Sequence, residues 1–401
     1  MPEAVIVATA RSPIGRANKG SLVGMRADDL AAQMLAAVLS KVPQLSSIDI
    51  EDVIMGCGQP AGEQGFNVAR VAALLAGIDA PGVTVNRYCS SSLQTIRMAA
   101  HAIKAGEGDC FIAAGVECVS RYQYGASDTA PANPRFANSG QRTALRAQGG
   151  QAPWAPFTAG LPDIYIAMGQ TAENVREFEN VSRQEMDEFG ARSQQLAVAN
   201  VENGFFEREI TPVTLPDGSV VTRDDGPRPG TTAAGLAQLK PVFRPDGMIT
   251  AGNACPLNDG TAAVIVMSDE KAKRLGIPAL ARIVSSGVSS LNPEIMGLGP
   301  IDACRQALAR AGMSIEDVDL VEINEAFAAQ VIPSARHLGI PMDKLNVHGG
   351  AIALGHPFGM TGARIMTTLI NGLQFQDKTI GLESMCIGGG QGMAMVIERL
   401  A

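Results

Sequence analysis

The sequence predicts an α/β protein in which a mostly parallel sheet is covered by helices on both faces. Short apolar runs typical of buried strands alternate along the chain with segments of helical periodicity. The composition agrees, because 44 of the 401 residues are glycine, which suits tight turns and close helix packing, and only 4% are aromatic. With 46% hydrophobic residues, the chain can bury a large core and is long enough for two or three domains.

The first third of the chain carries this alternation most regularly. Apolar runs predict strands at 3–8, 53–56, 83–85 and 109–115, and periodic segments predict helices at 28–39, 67–75 and 93–103. Leu93, Ile96, Ala100 and Ile103 recur at helical spacing, which gives the third helix one apolar stripe. We expect an N-terminal α/β half that comprises residues 1–120 and 250–275.

The texture changes at about residue 121. Residues 121–160 are rich in Gly, Pro, Asn, Gln and Ser and show little periodicity. Two helices follow, one over about 164–178 and one that starts at Ser182, where Glu185 completes a capping box, and ends at Gly204. We interpret 121–249 as an irregular inserted loop domain, because loops this long are usually functional.

The α/β texture returns after residue 250. Strands are expected at 263–267, 279–284 and 320–323, and the last segment, 381–397, is predicted to form two strands around a glycine turn. Helices are expected at 269–275, 300–311 and 361–373. The layout of 345–388 resembles that of 83–115, which indicates a weak internal duplication with 276–401 as the second half and a shared central helix layer.

Charge and cysteine usage limit the classes of partner. The net charge is −8 and no long Lys/Arg cluster is present, so neither nucleic acid nor an anionic membrane is an expected partner. The seven cysteines are irregularly spaced and include no C-x-x-C pair, which predicts no disulfide framework and no metal site. No stretch has the pattern of a signal peptide or of a membrane span. We therefore expect a cytoplasmic protein.

Cys89 lies at the junction between the strand at 83–85 and the helix at 93–103. A helix N-terminus offers free N–H groups and a partial positive charge, which favour a thiolate, so we expect a lowered pKa and a nucleophilic sulfur. By itself a lone strand-end cysteine is more often a small buried hydrophobe.

Three further polar segments also follow apolar strands, where α/β folds gather functional groups. They are Asn324 with Glu325, His356 before a proline, and Cys386 before Gly388. Taken singly, each has a structural explanation: a helix cap for Asn324, a buried strand residue for Cys386, and a structural histidine. The glycine run 388–392 lacks the Lys-Ser/Thr of a phosphate loop.

Together these segments resemble the signature blocks of the thiolase family, in order and spacing, along essentially the whole chain. The matching blocks are VNRYCSS at 85–91, MGQTAE at 168–173, TAGNA at 250–254, NEAF at 324–327, GGAIALGHP at 349–357 and CIGGGQG at 386–392. The resemblance implies a five-layered α-β-α-β-α fold with an inserted loop domain. It also implies reversible thiolytic cleavage of a 3-ketoacyl-CoA by coenzyme A.

The resemblance also implies residue roles. Cys89 would be the nucleophile that carries the acyl group as a thioester, and Cys386 the acid and base. His356 and a water held by Asn324 would form one oxyanion hole, and the backbone N–H groups of Cys89 and Gly388 a second one.

For coenzyme A, the resemblance places Arg228 near the adenine and Met168 and Cys255 near the pantetheine. Cys255 is a departure, because many members have serine there. The other departures are Ala167, which would open the acyl pocket, Ser92 in place of a glycine, and His348 in place of a frequent asparagine.

The expected function is thus a degradative 3-ketoacyl-CoA thiolase of fatty-acid β-oxidation or a related pathway, a homodimer or homotetramer that uses coenzyme A as co-substrate and no cofactor. The nearest alternative is a biosynthetic acetoacetyl-CoA thiolase. A decarboxylating ketoacyl synthase and a carrier without turnover are the others; Asn324 with Cys386 disfavours the synthase, and the intact Cys89, His356 and Cys386 disfavour the carrier.

Overall fold

A computed structural model describes residues 2–129, 131–156 and 159–401. Ten of its strands form one mixed sheet. The N-terminal elements are β1 Ala4–Arg11, β2 Gly15–Arg16, α1 Ala27–Ser40, β3 Asp52–Gly56, α2 Val68–Leu75, β4 Gly82–Val85, α3 Ser91–Ala105 and β5 Cys110–Cys118.

The middle of the chain contains helices and one two-stranded hairpin. Its elements are α4 Ala137–Ala147, α5 Met168–Phe178, α6 Arg183–Glu202, β6 Val213–Thr214, β7 Val220–Val221 and α7 Ala233–Leu236. The predicted capping box is confirmed, since Ser182 and Glu185 hydrogen-bond each other's backbone N–H groups. Helix α4 is not among the predicted elements, and Ser139 is its single buried residue.

The remaining elements complete the sheet and its cover. They are β8 Asn258–Ser268, α8 Asp269–Leu275, β9 Ala281–Ser290, α9 Gly299–Ala311, β10 Leu320–Ile323, α10 Ala328–Leu338, α11 Ala351–Leu354, α12 Thr361–Phe375, β11 Ile380–Ile387 and β12 Gln391–Arg399. Within the described chain, no helix combines the length and the apolar character that crossing a membrane requires.

The strand order supports the predicted duplication. Along the main path it is β10-β11-β12-β9-β1-β8-β5-β3-β4, and β1 and β9 meet through only two residue pairs. On either side of this junction, the order of strands is equivalent. An isolated parallel bridge between Val321 of β10 and Leu345 corresponds to the pairing of β3 with β4.

The prediction of a mostly parallel sheet is wrong. Only β3–β4, β3–β5 and β10–β11 are parallel, whereas the six other pairings are antiparallel. One cause is the glycine turn after Ile387, which joins β11 directly to β12 as a hairpin. Gly389 and Gly390 adopt φ of 82° and 79° there, which side-chain-bearing residues rarely adopt.

Three hydrophobic cores separate five layers. In the N-terminal half, alternate strand residues face opposite sides, so Val5 and Val53 pack with α1 and α2 while Ile6 and Ile54 pack with α3. The central core contains α3 and α12 between strands of both halves, and the third core contains α9 and α10. This arrangement is the expected α-β-α-β-α architecture.

The two central helices approach each other closely near their N-termini. A Cβ added to Gly362 of α12 would lie only 2.3 Å from the backbone nitrogen of Leu93 in α3. The N-termini of α3 and α12 follow Cys89 and His356 in the chain, so this contact brings the two candidate groups to the same region. The boundaries at residues 120, 249 and 275 remain a prediction.

Candidate active site

Cys89 lies in a single 3₁₀ turn, Tyr88–Ser90, between the end of β4 and the start of α3. Tyr88 adopts a φ of 43°, and the turn is closed by Ser91, whose Oγ accepts from the Arg87 N–H (2.9 Å) and donates to the Tyr88 carbonyl (2.7 Å). The backbone N–H groups of Gly388 and Cys89 act on the Cys89 sulfur in the direction that favours its thiolate. The two proposed donors of the second oxyanion hole therefore meet at the thiol.

The expectation of a lowered pKa at Cys89 is wrong. Burial raises the pKa of this thiol to about 11, although the two backbone N–H groups act in the opposite direction. The side chain is 9% exposed, so a thiolate there loses most of its hydration. At neutral pH the group is a thiol, and it needs a base to become a nucleophile.

His356 is held neutral and in a defined orientation. Burial, and then the charge of Arg364, lower the pKa of the imidazole to about 3. Its Nδ1 lies 2.6 Å from Thr361 Oγ1, and the Thr361 hydroxyl is 2.8 Å from the Pro357 carbonyl, to which it donates. The single hydroxyl proton is thus engaged, so we assign the Nδ1–H tautomer, which donates to Thr361 and leaves Nε2 as a free base.

Asn324 follows β10 and lies against the same imidazole. Its Nδ2 is 3.3 Å from His356 Nε2, and its backbone carbonyl accepts from Gln330 Nε2 at 2.6 Å. Its Oδ1 is buried and has no partner among the described residues. A buried acceptor without a partner is a suitable position for an ordered water.

Cys386 is the penultimate residue of β11 and lies near Cys89 and Cys255. Burial first, and then the nearby Cys89 and Cys255, raise the pKa of Cys386 well above its usual value. The Cys255 segment is held there by the backbone of the NEAF block, since the Cys255 N–H donates to the Ala326 carbonyl at 3.0 Å. The pKa of Cys255 is also raised, by burial and then by Cys89. The structure therefore brings three thiols to one place.

A cavity of about 350 Å³ extends from Cys255 to the protein surface. Arg16 and Arg228 line it together with apolar side chains such as Leu236, Val242 and Phe243. The Arg228 guanidinium has no hydrogen-bond or ion-pair partner in the described part of the chain, although its backbone N–H donates to Gln194 at 2.8 Å. Two of the three candidate coenzyme A residues thus line one cavity.

Met168, the third candidate coenzyme A residue, does not line this cavity but lies beside Gly388. A Cβ added to Gly388 would be 3.5 Å from the Met168 sulfur, so the thioether covers the residue whose N–H points at Cys89. The block that follows is built for packing, because a Cβ at Gly169 would overlap the Phe243 ring at 2.2 Å. The buried Glu173 carboxylate accepts from the N–H groups of Met248 and Ile249.

Three of the residues that depart from the family pattern, Ser92, His348 and Ala167, lie in different parts of the structure. Ser92 Oγ accepts from the Ala363 N–H at 2.9 Å, so it caps the first turn of α12 from the neighbouring helix. His348 stacks on Phe205 with ring centroids 3.7 Å apart, and its Nδ1 lies 2.8 Å from Asn200 Oδ1. Ala167 is exposed immediately before α5.

Two further residues contact the histidine segment and were not predicted from the sequence. Thr361 fixes the His356 tautomer, and its only sequence signal is a hydroxyl five residues after the histidine, at the start of a predicted helix. Glu117, at the end of β5, is buried and accepts from the Gly359 N–H of the histidine loop at 2.9 Å. It also accepts from Gly58, Gln59, Gln64 and Tyr122.

Comparisons with known proteins give one family for the whole chain. The family described as thiolase, N-terminal domain, matches residues 4–270, and the thiolase C-terminal domain matches residues 277–399. A 3-ketoacyl-CoA thiolase of Shewanella loihica is 45% identical, and a beta-ketoadipyl-CoA thiolase of Acinetobacter baylyi is 43% identical, each with 100% of both chains covered.

Solved structures give the same result. The dimeric peroxisomal thiolase of Saccharomyces cerevisiae superimposes with a TM-score of 0.89 at 37% identity, covering 100% of this chain and 98% of that one. The Bacillus anthracis acetyl-CoA acetyltransferase superimposes with a TM-score of 0.86 at 38% identity, covering 100% and 99%. The fold and the motif resemblance are thereby confirmed, and the chain belongs to the thiolase family of acyltransferases.

Proposed function

We propose that this enzyme is a 3-ketoacyl-CoA thiolase, which uses coenzyme A to cleave a 3-ketoacyl-CoA into acetyl-CoA and a shortened acyl-CoA. The observation that carries the proposal is the environment of the Cys89 thiol. The backbone N–H groups of Gly388 and Cys89 favour its thiolate, and a neutral histidine and a second buried thiol lie in the same region. Such a set can activate a sulfur, stabilise an oxyanion and transfer a proton without a metal or a prosthetic group.

In the first half-reaction, His356 Nε2 takes the Cys89 proton and the sulfur attacks the 3-keto carbon. The bond between C2 and C3 breaks, and the acyl group remains on Cys89 as a thioester. The acetyl-CoA enolate leaves and takes a proton from Cys386. Protonated His356 and a water bound to Asn324 Oδ1 would stabilise the enolate oxygen, which explains why that buried acceptor has no protein partner.

In the second half-reaction, the Cys386 thiolate takes the proton from incoming coenzyme A. The coenzyme A sulfur attacks the thioester, whose oxyanion is held by the N–H groups of Cys89 and Gly388. Acyl-CoA then leaves, and Cys89 recovers its proton from His356. Both residues return to the thiol state that burial favours.

Coenzyme A would occupy the cavity that reaches from Arg228 to Cys255. Its adenine and phosphate end would lie near the unpaired Arg228 and near Arg16, and its pantetheine arm would follow the apolar wall toward Cys255. Met168 would then contact the arm close to the reacting thioester. A cysteine at position 255 makes weaker hydrogen bonds than serine, so this subsite would depend more on packing.

We also propose that the protein is located in the cytoplasm. As its basic assembly we propose a homodimer with the edge strand β4 in the interface. The surface beside β4 exposes large apolar side chains, among them Phe66 at 96%, Leu74 at 60% and Tyr88 at 44%. A dimeric relative of the same fold supports this assembly.

The test is the loss of 3-ketoacyl-CoA with coenzyme A, measured over acyl chains from four to sixteen carbons and on 3-ketoadipyl-CoA, with Cys89→Ala in parallel. We expect turnover on chains of six carbons or more that the substitution abolishes. Turnover confined to acetoacetyl-CoA would favour the biosynthetic alternative, and a preference for 3-ketoadipyl-CoA would favour the activity after which the Acinetobacter relative is named. Binding without turnover on any substrate would refute the proposal.

A further inference from the structure

A second cavity, of about 380 Å³, lies between α3, β9 and α9. Its charged wall is formed by Arg97, His101 and Lys104 of α3 and by Arg310 of α9. It shares no lining residue with the cavity that contains Arg228 and Cys255. Because these α3 residues lie 8 to 15 positions after Cys89, the helical rise places them roughly 12–22 Å from it along the helix.

Most hydrogen-bond donors that face this cavity have no acceptor within the described part of the protein. Among the residues that the structure describes, Arg97 donates only through its Nε, to Ser286 Oγ at 3.1 Å, and Arg310 donates only through Nη1, to the Ser286 carbonyl at 2.6 Å. In the parts of the chain that the structure describes, the side chains of His101 and Lys104 have no hydrogen-bond or ion-pair partner. The other guanidinium N–H groups and the Ser286 hydroxyl proton are thus free to bind an acceptor.

The charges in this cavity are uncompensated, although the protein has a net charge of −8. Every charged neighbour that shifts the pKa of His101 is basic, and burial together with Arg97, Lys104 and Arg310 lowers that pKa. The same holds for Arg97, whose pKa is lowered by burial and then by Arg87 and Arg310.

Helix electrostatics explain only part of this arrangement. Lys104 and Arg310 are in the last turns of α3 and α9, where a cation interacts favourably with the helix dipole. Arg97 is in the middle of α3 and has no such role. The convergence of cations from two helices into one concave site costs electrostatic energy in the free protein, and an anion would remove that cost.

We propose that this cavity is a binding site for a small phosphate-bearing metabolite, separate from the active site. Two guanidinium groups can each bind phosphate oxygens in a bidentate manner, and Lys104 adds a point charge. The volume falls in the range of small-ligand pockets, and the concave shape fits a compact dianion better than an extended polymer.

The test is isothermal titration calorimetry of the native assembly with diphosphate at constant ionic strength. We expect saturable binding to the wild-type protein that weakens at least tenfold in Arg97→Gln/Arg310→Gln. The control pair Arg274→Gln/Arg305→Gln removes the same charge outside the cavity and should change the affinity less than twofold. Arg228→Gln should also retain it, which excludes binding in the first cavity.

Thiolytic activity of Arg97→Gln/Arg310→Gln should equal that of the wild type, because neither residue belongs to the proposed reaction centre. If this variant does not fold, Lys104→Gln replaces it, with an expected severalfold loss of affinity. No saturable binding to the wild type, including the case in which a second copy covers the cavity, would overturn the proposal. Equal loss in the control pair or in Arg228→Gln would overturn it as well.

Discussion

Thr361 offers a sharp test of how His356 becomes a base. Replacing Thr361 with valine keeps the shape but removes the oxygen that lies 2.6 Å from His356 Nδ1. The imidazole is 1% exposed, and a valine methyl group would occupy the position of the hydroxyl, so Nδ1 would have no acceptor. An unpaired buried N–H costs about 1–3 kcal/mol, and moving the proton to Nε2 avoids that cost but removes the free base.

The same free energy applied to the transition state predicts a fall in kcat/KM of roughly 5- to 150-fold for Thr361→Val. Thr361→Ser, which keeps the hydroxyl, should recover most of the activity. Thiolysis kinetics and urea unfolding of both variants separate a positioning effect from lost stability. A Thr361→Val enzyme with more than half the wild-type kcat/KM, or a serine variant as impaired as the valine one, would refute the assigned tautomer.

Three further predictions concern stability and positioning. Ser92→Ala removes the cap on the Ala363 N–H and should lower the free energy of unfolding by about 1 kcal/mol in urea titrations, with kcat unchanged. Burial lowers the pKa of His348 to about 4, so below pH 6.5 the unfolded state binds a proton that the folded state does not. The free energy of unfolding of the wild type should therefore fall by about 1.4 kcal/mol per pH unit, relative to that of His348→Asn, between pH 6 and 4.5. A pH-independent difference between the two proteins in urea unfolding would contradict this. Glu117→Gln places an amide opposite the N–H groups of Gly58 and Gly359. It should lower the free energy of unfolding by roughly 2 kcal/mol or more and lower kcat by displacing the histidine loop. Wild-type values in unfolding and thiolysis assays would show that Glu117 has no positioning role.

Most helices and strands could be predicted from the sequence because each depends on the chemistry of a few neighbouring residues. The capping box at Ser182, the apolar stripe of α3 and the glycine turn after Ile387 each follow from a few neighbouring residues. Strand direction does not, and this is why the sheet was predicted to be mostly parallel. Helix α4 was missed because it buries almost no side chain and so has no apolar period.

The candidate site was predicted residue by residue only where the family motifs reach. The sign of the pKa shift at Cys89 was predicted wrongly, because a helix N-terminus can be seen in a sequence but the depth of burial cannot. Thr361 and Glu117 were missed for a similar reason. They act through contacts with His356 and its loop, and those contacts exist only once α3, α12 and β5 are packed together.

The proposed reaction requires Cys89 to carry the acyl group. The most direct measurement mixes the enzyme with a 3-ketoacyl-CoA in the absence of coenzyme A, quenches it in acid, and maps the modified peptide by mass spectrometry. We expect one equivalent of acetyl-CoA to be released in a burst and a single acyl adduct to form on Cys89. An adduct on Cys255 or Cys386 instead, or acetyl-CoA release with no covalent adduct, would contradict it.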